Sequence, residues 1–287
     1  MRILPFVLIL TSAAVCAEPG AIPLIPKSVR FAVIGDNGTG ARPQYEVAEQ
    51  MEKYRLTTGF DFVLMNGDDI YGGKRPSEVK KKFELPYAPL LAAGVKFYAT
   101  LGNHDEANER FYKPFNMGEK RYYSFKNGNV QFFALDSTYM DGTQIEWLKT
   151  QLSESNADWK VCFFHHPFYS DGKFHGPDLD LRARLEPIFE KYNVNVVFTG
   201  HEHFYERLKP QNGIYYFIEG SSGELRMHNV KQSPTVGKAF DTDRAFMIVE
   251  AAGNDMYFET ISRTGEIVDS GKLERQPASV TASVWTH

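Results

Sequence analysis

The sequence predicts an α/β fold. Three observations carry this. Apolar runs of strand length recur along the chain, helical periodicity separates them through the first half, and the last third is mostly strand.

The runs are VRFAVIGD (29–36), FDFVLMNGD (60–68), VKFYATLGN (95–103), NVQFFALDS (129–137), WKVCFFHHP (159–167), VNVVFTGH (194–201), IYYFIEG (214–220), RAFMIVE (244–250) and MYFETIS (256–262). Several are continuously apolar, as strands buried on both faces are. Residues 43–58 open with a proline suited to a first helical turn. Thr143-Gln144-Ile145-Glu146 fits a capping box, and Ile145, Leu148 and Leu152 then share a face. Leu181, Leu185, Ile188, Phe189 and Tyr192 make a second stripe. No repeat or low-complexity linker intervenes, so one domain is expected over 29–272, with a weakly patterned tail at 273–287, either loose or a short edge strand.

The N-terminus reads differently. Arg2 is followed by a mostly apolar stretch, Ile3 to Val15, and Val15-Cys16-Ala17 resembles a cleavage site. Residues 1–17 therefore read as a secretory signal, too short for a membrane span, with a Pro-rich leader at 18–28. Lipid attachment at Cys16 is not expected, because Ala13-Ala14-Val15 is a poor match to a lipoprotein signal. Cys162 then stands alone in an apolar strand, as a small core residue rather than a nucleophile. With 43% hydrophobic and 24% charged residues the chain has the composition of a globular enzyme, and its net charge of −4 argues against nucleic acid as the main partner.

The polar residues gather where strands end. The ends read Gly35-Asp36-Asn37-Gly38, Gly67-Asp68, Gly102-Asn103-His104-Asp105, His165-His166-Pro167 and Gly200-His201-Glu202-His203. Ligands of open α/β sheets collect beyond the carboxyl ends of strands. Carboxylate, amide oxygen and imidazole together suit iron, manganese or zinc, and their number exceeds what one metal needs.

These blocks resemble those of the calcineurin-like metallophosphoesterases, in the form found in purple acid phosphatases of the small, single-domain, tartrate-resistant type. The resemblance spans about residues 29–263, and GHEHFYER (200–207) is close to the last block of the plant members. It implies a four-layer α/β/β/α sandwich of two mixed sheets flanked by helices. It also implies a first metal on Asp36, Asp68, Tyr71 and His203 and a second on Asp68, Asn103, His165 and His201. His104 and His175 would contact phosphate or leaving group, His175 from a loop ten residues after His165. Asp69 and Glu202 lie between ligands and are expected to point elsewhere, toward supporting contacts or solvent. His166 is expected to support the ligands from behind or to pack, Asp105 to orient His104, and His228 and the Asn37-Gly38-Thr39 sequon to carry no role.

Many relatives have a histidine ligand where this chain has Gly38, and Tyr71 is placed to replace it. Two carboxylates, a phenolate and a bridging hydroxide leave one net positive charge on an Fe(III)–M(II) pair. With a neutral histidine instead, two M(II) ions leave the same charge. The exchange therefore points to Fe(III) plus a divalent metal (Fe, Zn or Mn), which keeps hydroxide available at acid pH. The expectation is a secreted or periplasmic acid phosphatase that hydrolyses small phosphomonoesters with metal-bound hydroxide. A phosphodiesterase or nucleotidase on the same site is the alternative, since Phe111, Tyr112, Phe115, Phe168, Tyr169 and Phe174 lie in loops that select substrate. A non-catalytic secreted metal-binding protein is disfavoured because no ligand is missing.

Overall fold

A computed structural model describes residues 22–275. The signal segment and most of the tail lie outside the described residues. In chain order the elements are β1 (Val29–Ile34), α1 (Arg42–Thr58), β2 (Phe62–Met65), the short helices α2 (Pro76–Val79) and α3 (Ala88–Ala92), β3 (Lys96–Ala99), β4 (Tyr123–Asn127), β5 (Val130–Ala134), α4 (Gly142–Glu154), β6 (Trp159–Phe163), α5 (Leu179–Lys191) and β7 (Val196–Thr199). Then follow β8 (Tyr205–Leu208), β9 (Tyr215–Glu219), β10 (Val236–Phe240), β11 (Ala245–Ala252), β12 (Asp255–Ser262) and β13 (Ile267–Glu274).

The strands form two mixed sheets, ordered β13-β12-β11-β1-β2-β3 and β10-β8-β9-β7-β6-β5-β4. In the first, β1, β2 and β3 run parallel while β11 lies antiparallel to β1. In the second, β5, β6, β7 and β9 run parallel. The continuous apolar runs follow from burial on both faces. Phe132, Ala134, Val161 and Phe163 point between the sheets. Their neighbours Phe133, Cys162 and Phe164 join Leu148 and Leu152 of α4 and Leu185 and Phe189 of α5. On the other side Val47, Ala48 and Met51 of α1 bury against the first sheet. The result is the helix–sheet–sheet–helix layering expected of the sequence. Burial pushes the Cys162 thiol upward, which leaves it neutral and inert.

The two sheets are keyed together by aromatic edges. Phe31 meets Phe132 edge-on at 5.2 Å and Phe198 at 6.1 Å, both from the opposite sheet. Phe217 and Phe258 repeat the contact at 5.1 Å.

One local expectation is corrected. No capping box forms at Thr143. Helix α4 is capped instead by Asp141, whose carboxylate accepts from the Gln144 amide at 2.8 Å, so Thr143 sits inside the first turn. After Lys272 the chain continues as an edge strand: Leu273 and Glu274 finish β13 by pairing with Met256 and Asp255.

Replacing Phe31 with alanine removes both inter-sheet contacts and leaves a cavity. Urea unfolding is expected to show a loss of about 3–5 kcal/mol. A loss below about 1 kcal/mol would mean the sheets are not keyed there.

Candidate metal centre

All seven expected ligand positions converge at one edge of the two sheets. The first cluster is drawn by Asp36, after β1. Its Oδ1 lies 3.1 Å from the Tyr71 hydroxyl and 3.3 Å from His203 Nε2, and the last two atoms are 3.4 Å apart. Asp36, Asp68 and His203 each offer a ligand atom within 4.8 Å of the others. The second cluster is drawn by His165, after β6. Its Nε2 lies 3.0 Å from Asn103 Oδ1, 3.2 Å from His201 Nδ1 and 3.5 Å from Asp68 Oδ2. Asp68 thus belongs to both clusters. His165 Nδ1 donates to the Asn66 carbonyl at 2.9 Å, which leaves the Nε2 lone pair facing the cluster.

The backbone makes this convergence. Asp36, Asp68 and His201 adopt left-handed φ angles of 50°, 55° and 69°. Asp and His are among the residues that tolerate this region best. Each follows a glycine, and glycines at these strand ends let another ligand come close. A Cβ at Gly200 would sit 2.5 Å from Asp36 Oδ2, and one at Gly102 would overlap Asp68 Oδ1. Gly38 has a similar cause. Its N–H donates to the Asp68 carbonyl and its carbonyl accepts from the Tyr71 amide, and a Cβ there would overlap the Asp69 carbonyl. The position that lacks a ligand is the one that lets the 68–71 loop close and bring Tyr71 in. Lys82 fixes the same loop by donating to the Tyr71 carbonyl and pairing with Glu78 at 2.8 Å.

The electrostatics suit a cation. Burial pushes Asp36 up to about 7, against the opposing hydrogen bond and charge of His203. Burial, then the charges of Asp36 and Asp68, drives the Tyr71 phenol upward as well. Burial lowers His165, and with the neighbouring histidines pushes His201 down to about 2, which keeps both imidazoles in the neutral, ligating form. For His203 burial lowers the pKa, but Asp36 more than compensates and the net shift is upward. This donor set of carboxylate, phenol, amide oxygen and imidazole fits a pair of first-row metals that share Asp68.

The remaining polar residues find definite places. His104 is exposed, with its ring 5.0 Å from Tyr71 and its amide donating to Asp68 Oδ1 at 2.9 Å. His175 is also exposed and lies 4.2 Å from the His201 ring, so its loop does reach the centre. His166 takes the first of its two expected places, behind the ligands. It offers a nitrogen within 4.8 Å of those of His165 and His201, while its Nδ1 bonds Ser137 Oγ at 2.9 Å. The adjacent pair HisHis at a strand end was the available signal.

Asp105 does not orient His104. Its carboxylate accepts from the amides of Asp69, Ile70 and Gly102 at 2.8, 3.0 and 2.9 Å, so it staples two loops to each other. Glu202 does not reach solvent. It is fully buried and accepts from the Gly176 amide at 2.6 Å, Ser170 Oγ at 3.2 Å and Asn229 Nδ2 at 3.2 Å, holding the His175 loop against the His201 loop. Asp69 is fully buried too, and neither carboxylate oxygen has a hydrogen-bond partner among the described residues. Asn37 is buried, so its sequon is inaccessible, and His228 is exposed.

A family model described as calcineurin-like phosphoesterase matches residues 29–205. Tartrate-resistant acid phosphatase type 5 of Rattus norvegicus is 24% identical over 322 residues, covering 94% of this chain and 96% of that protein. Among solved structures, a purple acid phosphatase from yellow lupin (Lupinus luteus) seeds superposes with a TM-score of 0.73 at 17% identity, covering 90% of this chain and 55% of that one. The anchor in the inner membrane complex of Plasmodium superposes with a TM-score of 0.76 at 19% identity, covering 88% and 90%. The two superpositions speak for the fold alone.

Burial, then the charges of Asp105 and Glu109, raises the Asp69 pKa well above its ordinary value. An acid whose folded pKa is raised loses stability as pH climbs above its unfolded pKa of about 3.9. An amide in its place has no such proton to lose. After metal chelation, Asp69→Asn is expected to be more stable than the parent. The gap should widen by up to about 1.4 kcal/mol per pH unit above about pH 4 in urea unfolding. A gap independent of pH would refute the assignment.

Proposed function

The chain belongs to the calcineurin-like phosphoesterase family and is a metal-dependent phosphoester hydrolase, and on that premise we propose that it is a secreted acid phosphatase acting on phosphomonoesters with an Fe(III)–M(II) pair. Asp36, Tyr71 and His203 would hold the Fe(III), Asn103, His165 and His201 the divalent ion, and Asp68 both. The observation that carries this reading is the Tyr71 hydroxyl, 3.1 Å from Asp36 Oδ1 and 3.4 Å from His203 Nε2. A phenolate in that place suits a trivalent ion. A bound pair supplies Lewis acidity and an acidified water for attack on phosphorus.

The chain's own residues do the rest. The Asn66 carbonyl holds His165 in the ligating tautomer. Asp105 and the Asp68 carboxylate fix the loop from which His104 projects. His104, open to solvent at the rim, is placed to donate a proton or hydrogen bond to the leaving oxygen. His175, held by the Glu202 clasp, faces the same opening from the other side. Secretion is supported by the apolar N-terminal segment that follows Arg2.

Two outcomes are expected. Protein loaded with iron and zinc or manganese should hydrolyse p-nitrophenyl phosphate from acid to neutral pH, and lose activity on chelation; an inert, fully loaded protein would sink the proposal. The iron-loaded protein should also absorb visible light through an iron–phenolate transition that Tyr71→Phe abolishes. An active enzyme that is colourless and iron-free would reject Fe(III) while leaving phosphoester hydrolysis intact.

A further inference from the structure

Arg226 lies beside the proposed ligand His203. Its amide donates to the His203 carbonyl at 2.8 Å, so its backbone is tied to a proposed ligand. Its guanidinium lies 3.6 Å over the ring of Phe174, an aromatic that is 67% exposed. Phe174 meets His175 edge-on at 4.7 Å, and His175 lies 4.2 Å from His201 and 6.3 Å from His203. The stack leads from the guanidinium to the centre.

The guanidinium has no hydrogen-bond or ion-pair partner among the described residues. Nη1 is enclosed without a hydrogen bond. Arg121 and Arg207, by contrast, pair with Asp136 and Asp269 at 2.6 and 2.7 Å. The carboxylate of Glu202 is already occupied on both oxygens by Ser170, Gly176 and Asn229. A partly enclosed, unpaired guanidinium beside a phosphate site is suited to an anion, and its planar fork matches phosphate or carboxylate.

We propose that Arg226, stacked on Phe174, is a specificity subsite that binds a second anionic group, phosphate or carboxylate, on a substrate whose scissile phosphoryl sits at the metal centre. The inference rests on the phosphoesterase reading above. It favours compounds with two anionic groups over simple phosphomonoesters.

The test is calorimetric titration of the metal-loaded protein with methylphosphonate, phosphonoacetate and methylenediphosphonate. The last two differ in whether the second group is carboxylate or phosphonate. The parent should bind at least one of them about tenfold to hundredfold more tightly than methylphosphonate. Arg226→Met should erase that ratio, and Arg226→Lys, which keeps charge but not the fork, should retain part of it. A parent ratio near one, or an equal loss on all three ligands in Arg226→Met, would overturn the subsite. A protein that keeps the Arg226-dependent ratio but hydrolyses no phosphomonoester under any metal loading would defeat the phosphatase reading and leave the subsite standing. One that hydrolyses p-nitrophenyl phosphate with an Arg226-independent ratio would do the reverse.

Discussion

The arrangement at the sheet edge depends on one constraint: acids buried together require compensating charge. Asp36 and Asp68 end neighbouring parallel strands with almost no exposure, and Tyr71 and Asp69 are packed beside them. A lone carboxylate in such a place is driven toward its neutral form, as the upward shifts of Asp36 and Asp69 express. The same burial drives His165 and His201 toward neutrality. Neutral imidazoles, and carboxylates that ionise beside a cation, form a mutually consistent set around metal. The chemistry of the centre is therefore written into its desolvation.

The fold serves that constraint through its backbone. Parallel register brings β1 beside β2 and β2 beside β3, so Asp36, Asp68 and Asn103 leave one sheet at one edge. His165 and His201 leave the other sheet in the same way, after β6 and β7. Three left-handed residues and the glycines before them turn each side chain inward. Buried acids that are not ligands then hold the loops. Asp105 joins the second and third loops, and Glu202 joins the fourth and fifth. Both accept backbone amides, so a buried carboxylate is satisfied and loop geometry is fixed by the same bonds.

The strand-end residues were legible because glycine–ligand pairs follow apolar runs, and a run buried on both faces is visible in sequence. The strands that escaped notice, β4, β8, β10 and β13, carry charge within short stretches such as YERL and VGKAF. Hairpin pairing rather than an apolar face sets their place: β4, β8 and β13 lie antiparallel to the strand next to them in sequence, and β10 returns to β8. The loop contacts of Asp105 and Glu202 were hidden for a related reason. Alternation tells which residues face away from a ligand, but not whether a loop folds back to meet them. Glu202 faces away from its histidine neighbours, yet the 170–176 loop crosses that face and buries it.

Fold alone leaves function open, since one scaffold hosts many roles. The superposition with the anchor in the inner membrane complex of Plasmodium is as good as that with the lupin phosphatase. What separates an enzyme from a scaffold is the donor set, and here its pivot is the pair Gly38 and Tyr71. A side chain at position 38 would collide with the Asp69 carbonyl, so a histidine there is incompatible with this closure of the 68–71 loop. With the loop closed, the Tyr71 hydroxyl reaches Asp36 and His203. The missing side chain at position 38 and the inward place of Tyr71 thus share one steric cause. The choice between a neutral and an anionic donor, and with it the proposed choice between a divalent and a trivalent ion, follows from whether a Cβ fits at Gly38.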